Sequence, residues 1–204
     1  MDLLENYKKA WNNQPDTEGK RSTLDIYKLA QSKSRSIVKW IFIIGILEFV
    51  GLNSLYFFVD IDEAYAEYKK MGLENFIFYS QIIAYGILFY FLTMFYLNYK
   101  RISTTDSTRT LMKKIIKTRK TVRNYVLFNL SYMALIMIVV AIASINTNFD
   151  DLSNKQIILI IFATLVATLL ILGVLWLFYQ LLYGFLLKKL SKNYKEIAKL
   201  NEPN

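Results

Sequence analysis

The chain has 204 residues, of which 54% are apolar and 20% are charged, and its formal net charge is +9. It contains no cysteine and no histidine. This excludes disulfides, thiolate nucleophiles, Ser-His-Asp relays and every metal site that needs a thiolate or an imidazole ligand. The apolar residues form long uncharged blocks, which is typical of an integral membrane protein.

Residues 1–36 form a polar and charged N-terminal segment that we predict to be cytoplasmic. Its first part, "LLENYKKAWNN", predicts a short amphipathic helix whose apolar face carries Leu3, Leu4, Tyr7 and Trp11. Such a helix either docks in the groove of a partner protein or rests on the inner leaflet, and the sequence leaves both open. A second amphipathic helix is predicted from Ser22 and Thr23 towards Arg35.

Four apolar blocks follow and predict four transmembrane helices, at about residues 40–59, 76–99, 125–145 and 157–187. Each block reaches the roughly 20 residues that a helix needs to cross the hydrocarbon core. The alternating strands of a membrane β-barrel are not seen. We therefore predict an all-α, polytopic membrane protein with a four-helix bundle over residues 37–187.

The charges alternate between the polar segments. Residues 1–39 carry eight Lys/Arg and five Asp/Glu, residues 100–123 nine and one, and residues 188–204 five and two. The two remaining loops carry more acidic than basic residues: two Lys/Arg and five Asp/Glu in 60–75, one and two in 146–155. By the positive-inside rule, both termini and the basic loop 100–123 are predicted to be cytoplasmic, in a bacterial inner membrane.

An internal repeat is suggested by the segments that lead into the first and third spans. "KSRSIVKW" from Lys33 and "KTRKTVRN" from Lys117 match at an offset of 84 residues, and the exits "NYKRIS" and "FLLKKLS" match at 88. The chain would then consist of two parallel hairpin repeats, each with a short amphipathic cytoplasmic helix before a transmembrane hairpin. The positive-inside rule alone would also produce much of this match.

The basic residues before the spans predict a cationic cytoplasmic face. Its members are Lys33, Arg35, Lys39, Arg109, Lys113, Lys117, Arg119, Lys120 and Arg123. In the second copy they recur every three or four residues, which suits a helix lying at the headgroups on anionic lipid. A protein partner would suit this face too, whereas direct binding of nucleic acid is not expected.

Glu48 is the one ionisable residue well inside a predicted span. With no intramembrane Lys or Arg available, its partners are expected to be neutral groups at similar depth, the candidates being Thr93, Asn129, Tyr132 and Gln180. We predict that Glu48 fastens helices together, and the alternative is a transport residue.

The fourth span is longer than the bilayer core, because 31 uncharged residues make a helix of about 46 Å. It is expected to tilt, to bend near Gly173 or Gly184, or to project beyond the membrane. Small residues at Ala163 and Ala167 leave a homo-oligomer open.

A resemblance is carried by the N-terminal quarter of the chain. "AWNNQ" followed by "IYKLAQSKSRSIVKWIFIIGILEF" resembles uncharacterised four-span inner-membrane proteins of the Bacteroidota, often encoded beside extracytoplasmic-function sigma factors. The resemblance implies a membrane-held regulator. Some such proteins carry the name beta-carotene monooxygenase, but those enzymes hold iron with several histidines, so this activity is rejected for a chain without histidine.

The function expected from these observations is non-enzymatic. The chain is predicted to bind a partner protein through its basic cytoplasmic face, as a membrane-anchored regulator or an accessory subunit, without a cofactor or a metal. The alternatives are a small transporter or channel built around Glu48, and an enzyme acting on lipid. The enzyme would have to use one of the acidic clusters in the outer loops, at residues 60–63 or 150–151.

Overall fold

Every regular element of the part of the chain that the computed structural model describes, residues 23–58, 60–102, 106–148 and 152–199, is helical. The helices are α1 (Thr23–Ser54), α2 (Ile61–Lys70), α3 (Glu74–Arg101), α4 (Thr108–Thr147), α5 (Asn154–Tyr179) and α6 (Phe185–Lys199). A 3₁₀ turn, Leu55–Phe57, follows α1, and a π-helical turn, Gln180–Gly184, joins α5 to α6 without a break. The predicted all-α fold is confirmed.

Four of these helical segments are long and apolar enough to cross a membrane: α1, α3, α4 and the continuous helix Asn154–Lys199 formed by α5 and α6. The four predicted spans fall on these four segments. The predicted N-terminal helix with Leu3, Leu4, Tyr7 and Trp11 lies outside the described residues, so its docking role stays a prediction.

The four long segments form a closed bundle. Helix α1 packs against α3 and α6, and α4 packs against α3, α5 and α6. Helices α1 and α3 are thus the first hairpin, and α4 with the helix formed by α5 and α6 is the second. The short helix α2 lies against α3 at the other end of the bundle from the basic residues. We call the two ends the basic end and the acidic end.

The packed core lies at the basic end. In α4 every buried residue falls between Leu111 and Tyr125, and in α5 the one buried residue is Tyr179, the last of the helix. Away from the basic end, most of the large apolar side chains of α5 are exposed, and Phe162 for example is 67% exposed. Exposed apolar surface of this kind on a spanning helix suits contact with lipid tails, which are as apolar as the side chains.

The amphipathic segments before the first and third spans are the first turns of α1 and α4, continuous with the spans. The prediction that the second of them lies flat at the headgroups differs from the structure. Leu111 and Ile115 are fully buried in the bundle, as are Leu190 and Ile197 of α6. Their apolar faces are covered by one another instead of by lipid, so the bundle continues beyond the apolar spans.

Lys114 of α4 bonds to residues on both sides of the connection between α3 and α4, at the basic end. Its Nζ donates to the Arg101 carbonyl oxygen, which ends α3, and to Asp106 Oδ1 at 2.5 Å. The Tyr27 hydroxyl donates to the Asp106 carbonyl oxygen. Because these bonds join α1, α3 and α4, Lys114 is a structural residue, unlike its exposed neighbours on the same helix.

The buried positions support the internal repeat. At the offset of 84 residues, buried residues of α1 correspond to buried residues of α4, and at 88 those of α3 to those of the fourth helical segment. The pairs are Ser34/Thr118, Val38/Val122, Ile41/Tyr125, Phe91/Tyr179, Phe95/Tyr183 and Ile102/Leu190. Charge placement in loops does not dictate which side chains face the core, so this agreement is what two copies of one packing unit would give.

Polar bonds join the two hairpins at both interfaces between them. Asn98 Nδ2 donates to Thr121 Oγ1 at 3.3 Å between α3 and α4, and Asn193 Nδ2 donates to Ser34 Oγ at 3.2 Å between α6 and α1. Both asparagines are buried. Each contact between the hairpins is therefore fixed by an asparagine and a hydroxyl at the basic end.

Candidate functional site

Glu48 lies inside the bundle and is 7% exposed. The hydroxyl of Tyr183, which is also buried, donates to Glu48 Oε2 at 2.8 Å. Since Tyr183 belongs to the π turn, this bond ties the first hairpin to the second. It fits the predicted role of Glu48 as a fastener between helices, which remains a prediction until it is measured.

An aromatic shell encloses the Glu48 carboxyl group. Tyr125 and Tyr179 lie near the carboxyl group, and the Tyr125 ring lies 5.9 Å from that of Tyr183 and 6.2 Å from that of Tyr179. Phe95 packs edge-on against Tyr125, with centroids 5.3 Å apart. The rings exclude water from the site and leave the tyrosine hydroxyls as its polar groups.

One oxygen of the carboxyl group has no hydrogen bond. Within the described ranges, Glu48 Oε1 is a buried side-chain oxygen without a hydrogen-bond partner. An unsatisfied buried acceptor is costly. A further hydrogen-bond donor in this site would therefore be stabilised by bonding to Oε1.

The polar groups of the site lie where the two repeats differ. Ile41, Phe91 and Phe95 of the first hairpin correspond, in that order, to Tyr125, Tyr179 and Tyr183 of the second. Glu48 itself corresponds to Tyr132. The first hairpin thus supplies the acid and the second supplies three hydroxyls. At two of the three positions the first hairpin has the ring without the hydroxyl, and at the third it has an isoleucine.

The four partners predicted for Glu48 are occupied elsewhere or exposed. Thr93 Oγ1 donates to the Phe89 carbonyl and Asn129 Nδ2 to the Tyr125 carbonyl, while the Tyr132 hydroxyl lies 3.3 Å from Ser80 Oγ. Gln180 is exposed in the π turn. The donor is Tyr183 instead, and Tyr132 lies at the level of Ser80, in the first turns of α3.

Aromatic residues near the ends of the apolar blocks, where the headgroup layer is expected, fall into two sets. Trp40, Tyr56 and Tyr96 are exposed, in agreement with an interfacial position. Tyr125 and Tyr183 are buried in the core. The Tyr183 hydroxyl donates to Glu48 inside the bundle, so it does not need the wet headgroup layer.

All nine cations of the predicted basic face are exposed: Lys33, Arg35, Lys39, Arg109, Lys113, Lys117, Arg119, Lys120 and Arg123. The two ion pairs within the described ranges, Lys70 with Glu67 and Lys114 with Asp106, involve none of them. The Arg35 guanidinium lies over the ring of Tyr99, 5.7 Å from its centroid. The helices that carry these cations pack against each other through buried side chains at the same end of the bundle.

Asp60, in the acidic cluster at residues 60–63, has a structural role. Asp60 is the N-cap of α2 and accepts from the backbone N–H groups of Asp62 and Glu63. At the other end of α2, the hydrogen bond to Glu67 raises the pKa of Lys70. Asp150 and Asp151 lie outside the described residues.

A groove that the sequence did not predict lies between α4 and the π turn. Its volume is about 440 Å³, and its lining includes Arg119, Lys120, Arg123, Trp176 and Gln180. Three of the nine exposed cations therefore surround one cavity. In the sequence it is indicated only by the differences between the two hairpins at corresponding positions.

The fold and these sites define an all-α polytopic membrane protein in which two similar hairpins close into a bundle around a buried carboxyl group. The chain belongs to the family described as a domain of unknown function (DUF8845), whose model matches residues 24–202. That match covers every helix described above. No curated protein and no solved structure matches the chain.

Proposed function

We propose that this protein is a multi-pass inner-membrane protein that binds a partner protein through its basic end, which faces the cytoplasm. It acts as a membrane-anchored regulator or as an accessory subunit of a membrane complex. The observation that carries the proposal is the exposure of nine cations at an end of the bundle whose core is packed. Charges held in place by packed helices lose less conformational entropy on binding.

The positions of the outer cations favour a protein over the membrane surface. Arg109 stands sixteen residues before Tyr125, where the apolar span begins, which is about 24 Å along the helix axis. Electrostatic interactions in physiological salt decay over about 8 Å. Arg109 and Lys113 are therefore too far from the headgroups to act on them, and an acidic protein surface is the complement that they fit.

The cytoplasmic orientation is supported by the distribution of Lys and Arg between the loops. The resemblance to proteins encoded beside extracytoplasmic-function sigma factors makes a sigma factor one candidate partner. In that case the outer turns of α1 and α4 would supply the docking face, together with the N-terminal segment 1–22.

Photo-crosslinking tests the docking face. A photo-reactive amino acid at Thr110, which is exposed on α4, should give one reproducible protein adduct in cells. Replacing Arg109, Lys113 and Lys117 with Gln should lower its yield about tenfold, since each exposed ion pair contributes roughly 0.2–1 kcal/mol.

The matched control removes the same charge from another helix at the same end. Lys188, Lys192 and Lys195 are exposed on α6 and are not part of the nine. Their replacement with Gln should leave the yield within about twofold of the unmodified chain, as expected for distant charges screened by salt. Equal loss in both triple variants, or no loss in the first, would contradict a specific docking face on α4.

A small transporter is the second candidate, and the unpaired Glu48 Oε1 favours it. An intramembrane carboxyl with a free acceptor is a typical proton or cation site. Proton flux through the protein in liposomes, compared with that of Glu48→Gln, tests this candidate.

A further inference from the structure

The groove between α4 and the π turn is a cavity with two unlike walls. Val122 and Val126 of α4 and Trp176 of α5 form an apolar wall. Arg119 and Arg123 form a cationic rim and are exposed. The lining contains no acidic residue. A ligand that fits both walls is an anionic amphiphile.

The first hairpin shows that this space is not required by the packing. Its Phe42 and Tyr96 correspond to Val126 and Gly184 of the second hairpin. In the first hairpin these two rings pack against each other at the corresponding place between α1 and α3, with centroids 5.6 Å apart. The second hairpin has lost both rings, and both replacing residues line the open groove.

The same comparison separates the cations of the two hairpins. Arg35 corresponds to Arg119, and its guanidinium lies over Tyr99. Leu187 stands at the position that corresponds to Tyr99, and it also lines the groove. A ring that attracts the cation in the first hairpin is therefore replaced by an aliphatic side chain in the second, and Arg119 borders open space.

The π turn adds a polar group to the groove. A Cβ atom on Gly184 would lie 2.8 Å from the Gln180 side-chain amide, so glycine allows Gln180 to fold over this turn. Both residues line the groove. π-Helical turns within α-helices are frequent at functional sites. Here the turn opens the wall and presents an amide beside the arginines.

We propose that this groove is a specific site for an anionic phospholipid. Arg119 and Arg123 bind its phosphate, for which the planar guanidinium group is well suited. One acyl chain lies along Val126 and Trp176. The cations immediately precede the span that begins at Tyr125, so the groove is at headgroup level. The site rests on the membrane placement in the proposed function and is independent of any docking partner.

Bound lipid would join the second hairpin next to the Glu48 site, because Tyr179 and Tyr183 form part of the groove's lining. It would fill space that aromatic rings fill in the first hairpin. A ligand that binds only the folded bundle stabilises it in proportion to its occupancy. The lipid is thus a structural ligand of the second hairpin.

Quenching of Trp176 by lipids with brominated acyl chains tests the site. The chain has three tryptophans, and replacing Trp11 and Trp40 with Phe leaves Trp176 as the reporter in the full-length protein in neutral detergent micelles. Brominated phosphatidylglycerol should quench at a mole fraction about tenfold lower than brominated phosphatidylcholine. Replacing Arg119 and Arg123 with Gln should abolish this preference, since each cation near anionic lipid contributes about 1 kcal/mol.

Two further variants and one competitor complete the experiment. Replacing Lys113 and Lys117 with Gln removes the same charge further out on α4 and should preserve the preference. Val126→Phe fills the groove as Phe42 does in the first hairpin and should weaken quenching with all charges retained. Equal quenching by both lipids, or a preference that survives loss of both arginines, would overturn the site. Displacement of the lipid by millimolar glycerol phosphate would assign it to a soluble phosphate instead and overturn the lipid proposal.

Discussion

Replacing Tyr183 with Phe is expected to lower the free energy of unfolding by about 2–3 kcal/mol. The variant keeps the ring, which corresponds to Phe95 in the first hairpin, and removes only the hydroxyl that donates to Glu48 Oε2. The buried carboxyl group would then lose its hydrogen bond from Tyr183, while Oε1 already has no hydrogen-bond partner. Unfolding of the purified protein by increasing mole fractions of SDS in mild detergent measures the change.

Two variants of Glu48 show whether the cost comes from the carboxyl group. The double change Glu48→Leu and Tyr183→Phe should recover most of the lost stability, since replacing both polar partners with apolar groups is nearly neutral. Glu48→Gln keeps an acceptor for Tyr183 and should stay within about 1 kcal/mol of the unmodified chain. A Tyr183→Phe variant as stable as the unmodified chain would show that the bond does not fasten the hairpins.

Glu48→Gln also separates the fastener from the transporter. An amide cannot release and take up the proton that a carboxyl group exchanges. If the protein in liposomes carries a proton flux that Glu48→Gln abolishes without loss of stability, Glu48 is a transport residue. The fastener interpretation expects the same flux from both proteins and from empty liposomes.

Replacing Gly45 with Val is expected to be the most disruptive single change in the first hairpin. A Cβ atom on Gly45 would lie 3.1 Å from Leu92 Cδ2 and 3.1 Å from Phe95 Cδ2, so side chains of α3 pack closely against α1 there. The two further carbons of valine have no space unless the helices separate, and overpacking of this kind typically costs about 1–3 kcal/mol. Phe95 also packs on Tyr125, so the disturbance would reach the Glu48 site.

The chain offers matched controls for this change. A Cβ atom on Gly51 of α1 or on Gly86 of α3 would meet no other side chain within 4 Å. Valine at either position should leave the unfolding midpoint within the range of surface substitutions, about 0.5 kcal/mol. If Gly45→Val behaves like these two variants, the close approach of α1 and α3 does not contribute to stability.

The spans could be predicted because each is a long uncharged block, and a lipid environment forces such blocks into helices. The extension of the bundle at the basic end could not. The alternating polar and apolar residues around Leu111 and Ile115 suit a helix that packs on lipid as well as one that packs on other helices. Whether this face packs on lipid or on helices depends on where α1 and α6 lie. The local sequence pattern of α4 carries no information on their positions.

The site was predictable in part. Glu48 was found because a lone carboxyl group in an apolar block is conspicuous, but its donor was missed. Tyr183 has no local feature that distinguishes it from the interfacial tyrosines, and the π turn that positions it has no clear sequence signal. The groove has no sequence signal within the second hairpin alone. It is indicated only by the alignment of the two hairpins, in which Phe42 and Tyr96 correspond to Val126 and Gly184.

Single-cysteine labelling tests most directly whether the basic end faces the cytoplasm, on which its proposed binding of a partner protein depends. The chain has no cysteine, so Lys113→Cys on α4 and Ala66→Cys on α2 each give one exposed thiol, at opposite ends of the bundle. In spheroplasts, a membrane-impermeant maleimide should label Ala66→Cys at once and Lys113→Cys only after the membrane is permeabilised. Labelling of Lys113→Cys in sealed spheroplasts, with Ala66→Cys protected, would place the basic end outside the cell and contradict the proposed function.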